Sequence, residues 1–188
     1  MYQQVELYNY QNKAIKFVLE NIDKTDVLLA AAPNAGKTIM TAFVIDNLIQ
    51  NNKRVLCSVH GTNVLKRQFY NSICDIVGTD KVSIYDTTDT SLCCPEKPVQ
   101  IMIYQNKKQM EECVENYGLF DYLIVDEAHK FYENTDSMNL IVDNFVKGKH
   151  LLLTGSPAIF KDKVKNNELV AEYISASLIE STEPGQYD

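Results

Sequence analysis

Apolar runs of strand length alternate along this chain with stretches of helical periodicity. Val27–Ala31, Arg54–Val59, Val82–Tyr85, Val99–Tyr104, Tyr122–Val125 and His150–Leu153 are the strand-like runs. Thr38–Gln50, Val64–Val77, Lys107–Tyr117 and Ser137–Val146 carry the helical spacing. A run without polar alternation must be buried on both faces, and strands separated by helices pair in parallel. The pattern predicts an α/β domain of three layers, with a mostly parallel central sheet covered by helices on both faces. Ile39, Phe43 and Leu48 are expected on the inner face of the first of these helices. "NNELVAEYISASLIE" adds one more helix or a strand–helix pair. Residues 1–180 are expected to form one domain, and 181–188 a polar tail or the start of a linker.

Sheets of this kind bind ligands at the carboxyl ends of their strands. Polar residues do cluster there: Asn34–Thr38, Gly61-Thr62, Asp126–His129 and Thr154–Ser156 each follow an apolar run. Ala31–Thr38 reads "AAPNAGKT" and fits the phosphate-loop template G-x-x-x-x-G-K-[ST], with Ala31 in place of the first glycine. A loop opening a helix turns backbone N–H groups toward an anion, and the helix dipole adds to the attraction. Pro33, Asn34, Ala35 and Gly36 would shape that cradle. Asparagine tolerates positive φ, and Gly36 allows close approach. Lys37 would reach the outer phosphates and the Thr38 hydroxyl would ligate magnesium. Farther on, the strand-like "DYLIV" ends in acid. Asp126 is placed to organise a magnesium ion, and Glu127 to orient or deprotonate an attacking water. A triphosphate and Mg2+ are the implied ligands, lying between the start of the helix near Lys37 and the acidic pair 126–127.

Composition sets limits. The formal net charge of −7 argues against a wholly basic nucleic-acid coat, but leaves binding through a local patch or backbone amides open. No apolar run approaches the roughly 20 residues of a membrane helix. The N-terminal "MYQQVELYNYQ" has no secretory pattern. The five cysteines match no common zinc spacing. Reduced thiols in the cytoplasm, or a host-cell cytoplasm for a viral protein, are the expectation, with Cys57 as a core filler. His150 is expected to be structural, and His60 packed, solvated or lining a nucleic-acid face.

"AAPNAGKT", "VDEAH" and "LLLTGSP" follow one another in the order of motifs I, II and III of superfamily 2 helicases and translocases, which the chain resembles. The resemblance covers nearly the whole chain as a first RecA-like domain, and Asp126–His129 matches the DEAH form letter for letter. It implies that Thr154 and Ser156, with His129 as partner, link nucleotide state to nucleic-acid grip. "YNYQNKAIKFV" is similar to the family's leading helix, whose glutamine reads the adenine edge and maps to Gln11. "GTNVLKRQ" is similar to P-T-x-x-L-x-x-Q, which touches the nucleic-acid backbone: Thr62, Leu65 and Gln68 match, and Gly61 replaces the proline. Lys66 and Arg67 either add phosphate contacts or form an exposed helix face. In "MIYQN", Tyr104, Gln105 or Asn106 would supply a further contact.

In this family a second RecA-like domain supplies arginine fingers. The residues after Pro157 are too few to form it. The implied function is therefore the N-terminal half of an ATP-dependent helicase or translocase, weak or inactive alone, with DNA favoured over RNA. The DEAH form and leading helix resemble the branch of restriction-enzyme motors and UvsW-type phage recombination helicases. The alternative is a solitary nucleotide-binding or protein-docking module without productive hydrolysis. A small-molecule kinase fits less well, because "TGSP" has no role there.

Overall fold

The computed structural model describes residues 5–86, 90–104, 111–112, 115–133, 139, 141–143 and 146–180. Helix α1 (Asn9–Asn21) leads into β1 (Asp26–Ala31), α2 (Lys37–Gln50), β2 (Val55–Val59), α3 (Asn63–Val77) and β3 (Val82–Ile84). β4 (Val99–Ile103), β5 (Tyr122–Val125), β6 (His150–Thr154) and β7 (Leu169–Ile174) follow, with short helices at Ala128–Glu133, Lys161–Lys165 and Ala176–Glu180. The seven strands lie in the order β3-β4-β2-β5-β6-β1-β7. Every strand pair among them is parallel, so the sheet is wholly rather than mostly parallel.

The two-residue period of a strand sends alternate side chains to opposite layers. Val27, Leu29 and Ala31 join Val55, Cys57 and Val59 in a core roofed by α1, α2 and α3. Leu28, Ala30, Leu56, Leu123 and Val125 point the other way, toward Phe131 and Phe160. Cys57 is fully buried, as expected of a core filler. In α2 the inner face is Met40, Val44, Ile45 and Leu48 rather than a stripe through Ile39, which is exposed, and Phe43, which is half-buried. The C-terminal segment is the strand–helix option, with β7 on the edge beside β1.

The amino edge of the sheet is tied by polar staples. The Arg54 guanidinium donates to the Tyr117 and Leu119 carbonyls at 2.9 and 3.2 Å and to the Pro95 carbonyl at 3.2 Å. It also lies 4.6 Å above the Phe120 ring. His150 pairs with Asp26 through its N–H at 3.0 Å and its Nδ1 at 3.1 Å, a structural role that joins β6 to β1. Burial pushes the Asp26 carboxyl up, but the hydrogen bonds and charge of His150, with Lys149, outweigh it and hold the group below its usual range.

Residues 111–112 and 115–117, within the expected Lys107–Tyr117 helix, are helical, and the rest of that expectation lies outside the described residues. Residues 139 and 141–143 are likewise helical, but Val146 instead bridges Phe120 in parallel. The segment 181–188 also lies outside the described residues. Among the described residues no helix is long and apolar enough to cross a membrane, and no group of acids, histidines and cysteines forms a metal cluster.

Candidate active site

β1 runs into the loop 32–36, and the loop into α2, whose N-cap is Gly36. Ala35 N–H closes a turn on the Ala32 carbonyl at 3.2 Å. Asn34 and Gly36 take φ values of 63° and 79°. Left-handed residues interleaved in a loop before a helix make the backbone pattern of an anion nest. Ala31 lies within β1 in ordinary extended backbone, so the glycine that the template places there is not required. Lys37 Nζ donates to the Ala31 carbonyl at 3.0 Å and to the Ala32 carbonyl at 3.5 Å, which holds its charge at the loop.

Gln11 sits behind this loop and is nearly fully buried. Its Oε1 accepts from Tyr8 N–H at 3.0 Å, and its Nε2 donates to the Ala35 carbonyl at 3.1 Å. Each end of the amide has one further bonding position beyond these. The observed bonds make Gln11 a brace between α1 and the loop. Gly36 shows how tight the brace is, because a Cβ there would collide with the Gln11 amide. A Gly36→Ala protein is expected to lose roughly 5–10 °C in melting temperature, from left-handed strain of about 1–2 kcal/mol and the broken brace. It should also bind a fluorescent ATP analogue at least about tenfold more weakly. Thermal melting and titration check both effects.

Asp126 follows β5 and anchors it to β2 by donating its N–H to the Ser58 carbonyl at 2.9 Å. Burial and the adjacent Glu127 charge push its carboxyl above the usual range, against the pull of the Glu127 N–H, Lys37 and His60. Both acids open into the same cleft as Thr38. That cleft has a volume of about 390 Å³, and its walls also include Val59, His60, Leu65, Gln68, Phe69 and Ser72. Carboxylate and hydroxyl oxygens are hard donors, and this set fits magnesium better than a softer metal. Thr38, one residue past the start of α2, therefore shares one cleft with the acidic pair.

Glu127 adopts φ 48°, an uncommon conformation for a residue with a Cβ. Its carbonyl accepts from Lys130 N–H at 2.8 Å and from the Tyr104 hydroxyl at 3.4 Å. Its carboxylate lies 3.4 Å from His129 Nδ1. The same nitrogen is 3.1 Å from Thr154 Oγ1, which accepts Ser156 N–H at 2.9 Å. His129, Thr154 and Ser156 thus form one hydrogen-bonded chain at the ends of β5 and β6, which Ser156 joins through its backbone and beside which the Glu127 carboxylate lies.

The segment after β2 departs most from expectation. Thr62 caps α3, accepting Leu65 N–H at 3.5 Å, and Gly61 takes φ 108°. Lys66 is neither on an exposed face nor turned toward solvent. It is fully buried, with Nζ 2.9 Å from Asp86 Oδ2 and 3.1 Å from the Tyr85 carbonyl. A buried ammonium without a partner is so costly that the ion pair fixes its direction. Arg67 is half-buried and Gln68 exposed at the cleft wall. Gln105 lies outside the described residues. Ser72 in the cleft escaped the sequence reading, and His60 and Tyr104, read there in connection with nucleic acid, stand in the cleft and behind Glu127. The i, i+3, i+7 spacing of Leu65, Gln68 and Ser72 on α3 was the available signal for that wall.

A family model described as "Type III restriction enzyme, res subunit" matches residues 4–159. Among solved structures, the Sulfolobus solfataricus SWI2/SNF2 ATPase core in complex with dsDNA superposes with a TM-score of 0.68 at 17% identity, over 82% of this chain and 33% of that one. The UvsW helicase from bacteriophage T4 gives 0.67 at 17%, over 92% and 64%. The Pyrococcus furiosus Hef helicase domain gives 0.68 at 15%, over 97% and 42%. At these identities the likeness concerns the fold, and this chain spans less than two thirds of each structure. No curated protein sequence matches the chain significantly.

Proposed function

The chain belongs to the type III restriction enzyme res-subunit family and has a RecA-like helicase fold, and from that premise we propose that it is the ATP-binding N-terminal half of a nucleic-acid translocase or helicase. The observation that carries the reading is the meeting of Thr38, Asp126 and Glu127 in one cleft, with Lys37 close enough for its charge to act on Asp126. In this reading the loop 33–38 cradles the phosphates of ATP. Thr38 and Asp126 hold Mg2+, which when bound neutralises charge on the phosphate oxygens. Lys37 aligns the outer phosphates as a point charge. Glu127 accepts the proton of the attacking water, its carboxylate steadied by His129. The His129–Thr154–Ser156 chain carries the state of Glu127 to the end of β6, where the segment 154–157 would move with nucleic-acid grip. Gly61, Thr62, Arg67, Gln68 and Gln105 would contribute to that grip. Lys66 acts on it only through the placement of α3.

A second RecA-like domain would supply the arginine finger. The fraction of each neighbour that this chain spans supports such a partner. DNA is favoured over RNA because the matching family is named for restriction enzymes. No disulfide joins the described cysteines, which suits a cytoplasmic setting.

The test is ATP hydrolysis by the full-length protein carrying this chain, with single-stranded DNA, duplex DNA and RNA compared. Stimulation of at least tenfold by DNA above RNA is expected. Stimulation by RNA alone would reassign the track. Binding of ATP without stimulated turnover would favour a solitary nucleotide switch.

A further inference from the structure

The left-handed backbone at Glu127 raises the question of what holds it. A non-glycine residue stays in that region only where its surroundings over-determine it. Its carbonyl is gripped from two sides. Lys130 N–H, 2.8 Å away, comes from the helix that Glu127 itself precedes and follows any shift of that helix. The other donor, the Tyr104 hydroxyl at 3.4 Å, comes from a different strand. Tyr104 follows β4, two strands from β5, and reaches across the end of β2 to make this contact. The residue is fully buried. Its ring sits edge-on to Phe131 at 5.1 Å and tilted against His60 at 5.7 Å, so the hydroxyl has little freedom to leave.

We infer that Tyr104 is a positioning residue for Glu127, holding the strained turn that aims the carboxylate into the cleft. The inference rests on the proposed role of Glu127 in activating water. Tyr104 itself touches no reacting atom. Burial, followed by the charges of Asp126, Glu127 and Glu133, pushes its hydroxyl well above the ordinary tyrosine value, so it remains a donor at any working pH. Because Lys130 N–H still satisfies the Glu127 carbonyl when the hydroxyl is removed, the loss falls on aim more than on stability.

The test is Tyr104→Phe in the full-length protein, assayed at saturating stimulating nucleic acid. The kcat for ATP is expected to fall about three- to tenfold, the range of one ordinary hydrogen bond, equally across neutral and mildly alkaline pH. KM for ATP should change by less than about twofold and the melting temperature by less than about 2 °C. Tyr104→Leu, which also removes the ring, should lower both kcat and melting temperature. In a Glu127→Gln background, Tyr104→Phe should leave the residual turnover unchanged, since the group it aims is gone. Wild-type kcat in Tyr104→Phe overturns the inference. So does a parallel rise in KM, or an undiminished Tyr104→Phe effect in the Glu127→Gln background. Full turnover in Glu127→Gln alone would remove the proposed role of Glu127 and this inference with it, and it is read on a separate variant.

Discussion

Replacing Lys37 by alanine is expected to lower ATP turnover of the full-length protein about a hundredfold to a thousandfold, the usual cost of deleting one preorganised charge-stabilising donor. Lys37 is the only charged side chain between Ala31 and Thr38, so no neighbour in the loop can replace it. Its ammonium is already drawn to the Ala31 and Ala32 carbonyls and needs little reorganisation to meet phosphate oxygens. Its loss also removes one of the groups that restrain the upward shift of Asp126. The acid should then be harder to ionise, which weakens magnesium binding in the same direction. The fold should survive, because the loop is braced independently by Gln11 and Tyr10 on the Ala35 carbonyl at 3.1 and 3.3 Å. Steady-state hydrolysis, with a melting curve as control, checks this. Undiminished turnover would mean that this loop does not hold the triphosphate.

Glu127→Gln separates binding from chemistry. The amide keeps the shape and can still meet His129 but cannot take a proton, so kcat should fall about a hundredfold to ten-thousandfold. Affinity for ATP–Mg should be kept or rise, because Thr38, Asp126 and Lys37 are untouched. Single-turnover hydrolysis and nucleotide titration on one preparation give both numbers. If binding collapsed instead, Glu127 would belong to the metal's shell, and the water would need another base.

Much of the fold could be read from the chain because parallel strands buried on both faces leave uninterrupted apolar runs. Val27–Ala31 and Tyr122–Val125 are such runs, and the acidic pair after Val125 marked the edge where the candidate cleft opens. The backbone of the loop 32–36 was legible for a local reason: its conformation is set by Asn34 and Gly36, whose positive φ their residue types allow. Lys66 was misplaced because its fate depends on Asp86, twenty positions later and just past β3, and periodicity carries no record of such a partner. Ile39 was put inside for a similar reason. The helix has apolar residues around most of its first two turns, so the buried face is chosen by the sheet beneath. Tyr104 looked like a strand-end contact. Its work depends on spanning β2 to reach Glu127, and only the lateral order of the strands reveals that.

The position of β1 has a bearing on how the molecule comes into being. Although it is the first of these seven strands along the chain, its neighbours in the sheet are β6 and β7, the last two of the seven. During synthesis β1 has no strand to pair with until residues beyond His150 have left the ribosome, and closure across so long a separation is slow. Nascent chains halted before that point would lack the floor beneath the phosphate loop. Competence to take up nucleotide would then arrive in a single late step, when β6 slides in between β5 and β1.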